Sequence, residues 1–284
     1  MADRGWDTEL MIVAFEGEVA RRPGGYVRAV WPAMPDFYWG NLLLLDAPPA
    51  PAEVAGWCDV FEREVGSLPG VRHVTIGWRG DHPGRPDPLA LGAADRVALA
   101  AFGAAGFITT ECVFLAAEDV APPAGAAPPP TVTRPLASDA DWAAAYDSQR
   151  TAWEPNIPRA AFDDFVRRRV AAWRRLCDRG AAAFFGAFLP DGALVGSCGV
   201  VVRPEDGLAR YQSVVVAEPL RGRGVATHMV ADAGRWALAN LGARELVISA
   251  EAGTQAERIY ARVGFRPFMR QLGAFKRPPP PSSP

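Results

Sequence analysis

The most constraining stretch of this sequence is the run VVVAEPLRGRGVAT at residues 214–227, where an apolar strand leads through a glycine-rich turn into a helix. The first backbone N–H groups of a helix lack partners within the helix, and the helix dipole adds partial positive charge there. Gly222 and Gly224 allow a ligand to approach the backbone closely, and Arg221 and Arg223 add charge. The run therefore predicts an anion site with phosphate as its ligand.

Other interpretations of this loop differ in what they require nearby. A nucleotide-binding P-loop requires Gly-Lys-Ser/Thr after its spacer residues, and the loop has no such sequence. A dinucleotide-binding fold prefers Gly or Ala where Thr227 stands, followed by an acidic residue about twenty residues later. The simplest alternative is a helix start in which the glycines only ease a tight turn. The loop alone leaves that alternative open.

The elements around the loop are predicted from apolar periodicity and turn residues. A strand at 131–136 and two helices precede three short strands separated by PDG and PEDG turns, which indicate an antiparallel meander: Ala182 to Leu189, Leu194 to Val202 and Leu208 to Val216. After the loop come a helix, a strand from Glu245 to Ala250, a shorter helix and a final strand. The order β-α-α-β-β-β-α-β-α-β predicts the α/β (α+β) class, with a mixed, mostly antiparallel sheet flanked by helices.

Two proline-rich runs divide the chain. The uncharged run APPAGAAPPP at residues 121–130 opposes regular structure and is interpreted as a semi-rigid linker. The run PPPPSSP at residues 278–284 is interpreted as a tail. At roughly 150 residues per domain, a chain of this length predicts two domains. We therefore expect one domain at residues 1–120 and another at residues 131–277.

The first half repeats the second part of this element order more loosely. Its predicted elements are a strand at 38–45, a helix at 54–65, a strand at 71–78, a helix at 90–102 and a strand at 108–116. Phe102 lies four residues before a Gly-Phe pair, as Tyr260 does in the second half. This weak internal repeat predicts two copies of one fold.

A second motif, ERIYARVGFRP, lies at residues 257–267, one strand and one short helix after the loop. Together with the preceding strand and the pattern Arg221-x-x-Gly224-x-Ala226, it resembles the GNAT superfamily of acetyltransferases over about Thr131 to Lys276. The resemblance implies two GNAT-like domains, the first of them degenerate. In the second, the fourth and fifth strands splay apart and receive the pantetheine arm of acetyl-CoA.

The resemblance also assigns cofactor contacts residue by residue. It implies backbone contacts to the pantetheine arm from Val214, Val215 and Val216. The pyrophosphate is then held by the loop residues Arg221, Gly222, Arg223, Gly224, Val225, Ala226 and Thr227.

Proton accounting defines the catalytic groups that such a reaction requires. A lysine-like ammonium, with a pKa of about 10.4, must lose a proton before attack, and a thiolate leaving group with a pKa of about 8.5 gains from a nearby donor. The resemblance implies that Tyr260 is this donor, and that a backbone N–H of Val214 or its neighbour stabilises the oxyanion. Glu251 and Glu218 are the candidate bases at the strand ends. Glu154 or Tyr146 could also enter from the first two helices, and the choice among them stays open.

The first copy lacks the corresponding chemistry. After the leucines at 42–45 comes DAPPAPAE, with prolines in place of glycines and with Asp46 and Glu53 where a phosphate would bind. Phe102 has no hydroxyl at the position that matches Tyr260. We expect the first domain to bind no CoA.

These expectations combine in an N-acetyltransferase, an acyltransferase moving groups other than aminoacyl groups, that transfers acetyl from acetyl-CoA to a primary amine in a ternary complex. The aromatic and polar segment at 146–156 frames the acceptor site, and we expect a small-molecule amine there. Two alternatives stay open. One is transfer of a larger acyl or aminoacyl group, and the other is a CoA-binding sensor or scaffold without turnover.

Composition and charge exclude several other classes. A net charge of -2 gives no basic field for nucleic acid. Four widely separated cysteines form no zinc motif and indicate a reducing compartment. The acidic N-terminal residues 1–7 do not form a signal peptide, and polar residues interrupt the apolar stretch at 97–117. We expect a cytoplasmic protein that binds neither membrane nor metal and is a monomer or homodimer.

Overall fold

The structure is a computed structural model that describes residues 4–80, 87, 89–127, 129–155 and 157–278. It divides into two compact units. One comprises Met1–Val113 together with Phe268–Pro284, and the other comprises Phe114–Pro267. Among the described residues, no helix combines the length and the apolar character that a membrane crossing requires.

The first unit is a sheet with helices packed on it. Its elements are α1 (Arg4–Ala14), β1 (Glu18–Arg22), β2 (Tyr26–Val30), β3 (Leu42–Leu45), α2 (Val54–Phe61), β4 (Val74–Trp78), α3 (Ala93–Ala104) and most of β5 (Ile108–Ala117) and β11 (Arg266–Lys276). Within this unit the order is β1-β2-β3-β4-β11, where only β3 and β4 are parallel. Every residue of β3 is buried, as expected for a strand covered on both faces.

The second unit has the same kind of architecture. After the end of β5, its elements are β6 (Val132–Pro135), α4 (Asp139–Gln149), α5 (Arg159–Asp178), β7 (Ala182–Phe188), β8 (Leu194–Val202), β9 (Leu208–Val216), α6 (Val225–Asn240), β10 (Glu245–Glu251) and α7 (Gln255–Val263). Its strands are ordered β6-β7-β8-β9-β10, and only β9 and β10 are parallel. The predicted order of elements and the mixed, mostly antiparallel sheet are confirmed.

Helices cover both faces of this second sheet. On one face, α5 stacks Trp173 on Phe184 of β7, with ring centroids 4.5 Å apart. On the other, Met229 of α6 lies against Gly196 of β8, where an added Cβ would come within 3.4 Å of its sulfur. Because neighbouring strand residues point to opposite faces, Ser197 then faces α4. This alternation fixes which side chains reach the site from each layer.

The boundaries in the first half differ from the predicted ones. Residues Tyr38–Gly40 form a 3-10 turn rather than the start of a strand, so β3 begins only at Leu42. The helix α2 ends at Phe61 and continues as a π turn over Glu62–Gly66. The elements before residue 38 had no prediction, because their short strands lack a marked alternation of apolar residues.

The compact units divide the chain differently from the predicted domains. The division between Val113 and Phe114 lies inside β5, before the proline-rich run. That run belongs to the second unit, where Ala121 donates its N–H to the carbonyl of Val263 at 3.0 Å. Position 128 of the run and residues 279–284 of the predicted tail lie outside the described residues.

The last strand also joins a different unit from the predicted one. β11 pairs with β4 from Leu272 opposite Trp78 to Lys276 opposite Val74. Residues from Phe268 onward therefore belong to the first unit, whereas the predicted second domain extends to residue 277. Composition indicates where regular structure stops, but it does not indicate which neighbour a later strand will pair with.

Candidate functional site

The candidate site of the second unit begins where two parallel strands separate. β9 and β10 pair from Leu208 opposite Glu245 to Arg210 opposite Val247. Both strands continue beyond this point, to Val216 and Glu251, without further pairing to each other. The predicted splay is confirmed. An extended ligand segment can pair with the free backbone edge of a strand in such a gap.

A β-bulge lies in β9 beside this gap. Val215 lies opposite Ser197 of β8, but Gln212 lies opposite Gly199, so Ser213 and Val214 share one partner position. Among the described residues, Ser213 is the one non-glycine residue with positive φ, at 52°. A bulge bends its strand and increases the local twist. The bulge thus lies where β9 turns away from β10.

Gln149, the last residue of α4, contacts this bulge directly. Its Nε2 donates hydrogen bonds to the Ser197 hydroxyl at 2.8 Å and to the Ser213 carbonyl at 2.9 Å. Gln149 is 6% exposed and Ser197 is fully buried. Sequence reasoning placed Gln149 only in the acceptor-framing segment and missed Ser213, because neither residue type signals a bulge.

The loop after β9 presents backbone N–H groups at a helix start. Gly222 and Gly224 have φ of 74° and 79°, a left-handed conformation that explains why both are glycine. Gly224 caps α6 without any side-chain cap, and the first N–H to bond back to it is that of His228, at 3.1 Å. Within the described part of the chain, no backbone carbonyl accepts from the N–H groups of Gly222, Arg223 or Gly224.

The surroundings of this loop fit an anion. A Cβ added at Gly222 would meet nothing within 4 Å, so the backbone there is open to a ligand. Arg221 and Arg223 are both exposed, and neither forms an ion pair among the described residues. Arg221 donates its Nε to the carbonyl of Val216 at 3.1 Å, which draws its charge toward the end of β9. The loop therefore offers unpaired donors and uncompensated positive charge in one place.

Tyr260 lies on the buried face of α7. Its side chain is 6% exposed and its ring meets Phe265 edge-on, with centroids 6.4 Å apart. Burial raises the pKa of Tyr260 well above its usual range, the neighbouring Cys198 thiol adds to the rise, and Arg210 opposes it. A phenol in this position keeps its proton at neutral pH. That is the protonation state which a general acid requires.

The two candidate bases lie at the ends of the separating strands. Glu251 is the last residue of β10 and is exposed. Its carbonyl accepts a hydrogen bond from the Thr254 hydroxyl at 2.7 Å. Glu218 begins the 3-10 turn after β9, is also exposed, and accepts the N–H of Arg221 at its carbonyl at 3.1 Å. Both carboxylates are open to solvent, and neither has a geometry that selects it over the other.

Side-chain bonds hold the predicted acceptor segment where it connects α4 to α5. The Nε and Nη2 of Arg150 each donate to one carboxylate oxygen of Asp163, both at 2.8 Å. Trp153 donates its indole N–H to the carbonyl of Ile157 at 2.7 Å. Asn156, which belonged to the predicted segment, lies outside the described residues. These bonds fix the connection between the two helices beside the bulge.

The equivalent strands of the first unit have no gap. β3 and β4 pair from Leu43 opposite Ile76 to Leu45 opposite Trp78, and Arg79 adds a bond from its N–H to the Leu45 carbonyl at 2.9 Å. Pairing therefore continues to the end of β3, so an extended ligand segment has no free edge to join.

The helix start that follows β3 is occupied by the chain itself. The carboxylate of Glu53 accepts a hydrogen bond from the N–H of Ala50 at 2.7 Å, and Asp46 forms an ion pair with Arg21. Phe102, at the position that matches Tyr260, stacks on Trp78 with centroids 5.5 Å apart and 9° between planes. At these positions the first unit therefore differs in geometry from the second.

Comparisons with known proteins agree with this division. Residues 142–265 match the family model of the acetyltransferase (GNAT) family. No curated protein matches the chain. A functionally unknown conserved protein from Staphylococcus epidermidis is similar in structure, at 14% identity over 93% of this chain and 95% of that chain, with a TM-score of 0.71.

Two further structures are named for this family. A GCN5-related N-acetyltransferase from Kribbella flavida is 18% identical over 99% of this chain and 96% of that chain, with a TM-score of 0.64. A tandem GNAT protein from the clavulanic acid biosynthesis pathway is 15% identical over 98% of this chain and 95% of that chain, with a TM-score of 0.50. At these identities the similarity shows the fold, which is that of two GNAT-like units.

Proposed function

We propose, from the premise that residues 142–265 belong to the GNAT family of acetyltransferases, that the second unit transfers an acetyl group from acetyl-CoA to the primary amine of a small molecule. One observation carries the proposal: the gap between β9 and β10 leads to the amide-lined start of α6. A thioester with an extended amide arm and a pyrophosphate at its far end matches both features. We retain a cytoplasmic location and a monomer or homodimer as predictions.

Acetyl-CoA is the proposed cosubstrate, and the residues present fit it. The free edge of β9 at Val214, Val215 and Val216 suits hydrogen bonds to the two amides of a pantetheine arm. The N–H groups from Gly222 to Thr227 suit the pyrophosphate, with charge from Arg221 and Arg223. In this arrangement the thioester lies toward the bulge, and the anionic end lies at the helix start.

The proposed chemistry needs one donor, one oxyanion contact and one proton acceptor. The neutral amine attacks the thioester carbonyl, and a C–N bond forms as the carbonyl oxygen takes negative charge. The N–H of Val214 stabilises that oxyanion. The C–S bond then breaks, and Tyr260 gives its proton to the departing sulfur. The amine nitrogen loses a proton to water or to a carboxylate, and solvent returns a proton to Tyr260, which closes the cycle. Glu251 and Glu218 are the proposed carboxylates.

The decisive experiment measures thiol release from acetyl-CoA with a panel of amines that includes small polyamines, aminoglycosides, amino acids and a lysine peptide. Release with a small amine supports the proposal, and release only with the peptide redirects it to protein acceptors. A parallel series with propionyl- and butyryl-CoA tests transfer of a larger acyl group. CoA binding without release from any amine would contradict the enzyme and favour a sensor.

A further inference from the structure

Gln149 spans three elements of the second unit. It ends α4, and its Nε2 reaches both Ser197 on β8 and Ser213 on β9, at 2.8 and 2.9 Å. A side-chain amide nitrogen has two hydrogens, so both bonds can be donated at once. Because Gln149 is 6% exposed, water does not readily replace it as the donor. We call these two bonds the Gln149 clasp.

The Gln149 clasp contacts a residue, Ser213, whose backbone conformation is unfavourable. Ser213 has φ of 52°, in the left-handed region that is unfavourable for L residues other than glycine. A bulge position with this conformation is usually filled by glycine. The chain has serine there instead, so the conformation depends on contacts from outside the strand. The bond from Gln149 to the Ser213 carbonyl is such a contact.

The planarity of the peptide bond carries this constraint to the next residue. The Ser213 carbonyl and the Val214 N–H belong to one planar unit and, in a trans peptide, point in opposite directions. Fixing the carbonyl toward α4 therefore fixes the N–H of Val214 away from α4. That N–H is the proposed oxyanion donor, so its direction is set by a side chain it does not touch.

We propose that Gln149 is a positioning residue, which orients the peptide plane between Ser213 and Val214 and thereby aims the oxyanion donor. The inference rests on the proposed acetyl transfer. It concerns mainly the turnover step, because Val214 is the one proposed CoA contact that adjoins this peptide plane. The other proposed contacts, from Val215 to Thr227, lie further along the chain. Loss of the clasp should therefore lower kcat and leave the affinity for CoA nearly unchanged.

Two substitutions remove the clasp in different ways. Gln149→Leu keeps the volume and deletes both donors, and Gln149→Glu keeps the shape but replaces the donor to the Ser213 carbonyl with an acceptor. Since loss of an oxyanion donor lowers kcat by roughly 100- to 1000-fold, a misdirected donor should lower it by about 10- to 100-fold. CoA affinity by calorimetry should change by less than about threefold, because the proposed contacts from Val215 to Thr227 remain.

A rescue and a control separate positioning from stability. Ser213→Gly in the Gln149→Leu background removes the cost of the left-handed conformation. It should reverse about a third or more of the decrease in log kcat that Gln149→Leu causes. Asp141→Asn weakens the opposite end of α4, where Asp141 pairs with Arg134 at 2.7 Å. That variant should lower Tm and leave kcat unchanged.

The outcomes are distinguishable from failure of the proposed function. If both Gln149 variants lose Tm as Asp141→Asn does, with kcat unchanged, the inference is overturned. The amide resonance of Val214 gives a readout without turnover: it should shift in Gln149→Leu. The shift caused by Gln149→Leu should be smaller when both chains carry Ser213→Gly. An unmoved resonance would overturn the inference even if the wild type proved inactive, and inactivity alone would overturn only the proposed acetyl transfer.

Discussion

Substitutions at Gly222 test whether backbone conformation, rather than space, governs CoA binding by the loop. Gly222 has φ of 74°, and a Cβ there would meet nothing within 4 Å. A larger side chain therefore meets no steric obstacle and only the left-handed conformation is disfavoured, by about 1–2 kcal/mol for an ordinary L residue. Because the position is exposed, the free loop can relax, and the penalty falls on binding. Gly222→Ala should weaken CoA binding by about 5- to 30-fold.

The side chain chosen determines the order of the effects. Asparagine tolerates the left-handed region better than alanine, and a β-branched valine tolerates it worst. CoA affinity should therefore fall in the order Gly222, Gly222→Asn, Gly222→Ala, Gly222→Val, while Tm without ligand changes little. Isothermal calorimetry with CoA measures the affinities. If the loss instead follows side-chain volume, so that asparagine resembles valine and alanine is mildest, the reasoning from φ is refuted.

The remaining predictions concern the donor, the first unit and the response to acid. Tyr260→Phe should lower kcat by about 100-fold or more and leave CoA affinity unchanged, which thiol release and calorimetry check together; an unchanged kcat would remove Tyr260 from the mechanism. Calorimetry should find one CoA per chain, and Phe102→Tyr should add neither a second site nor activity, since pairing of β3 with β4 closes the gap there. Burial lowers the pKa of His73 from 6.5 to about 4, so the unfolded chain takes up a proton first and stability is lost as pH falls from about 6.5 to 4. The free energy of unfolding, measured with urea, should fall by about 3 kcal/mol over this pH range in the wild type and by less in His73→Gln. An equal fall in the two proteins would contradict the assignment to His73.

The sequence predicted the second unit well because its signals are local. Periodic apolar residues mark the helices, turn residues mark the meander, and the glycine-rich loop leads into the start of α6 as predicted. The strand β9 was also predicted with its observed ends. Each of these features depends on residues close together in the chain, which is why one sequence is sufficient to find them.

The features that sequence reasoning missed depend on distant contacts. Ser213 adopts its conformation beside Gln149, which is far away in sequence, and serine carries no preference for a positive φ. Gln149 resembles any polar residue at the end of a helix until its partners are known. The general base stays open for the same reason, since both Glu218 and Glu251 are exposed and distinguished only by where an acceptor binds.

The position of β11 has a consequence for how the protein is made. Leu272 and Ala274 of this strand are fully buried in the core of the first unit, beside Trp78 and Phe102. The ribosome synthesises residues 114–267 before it reaches β11. The N-terminal part of the first unit is therefore made first but lacks its last strand until the end of synthesis. The second unit is one contiguous segment, and its core can close while the first still exposes β4. The second unit can therefore complete its core before the first, although the first unit begins to be synthesised earlier.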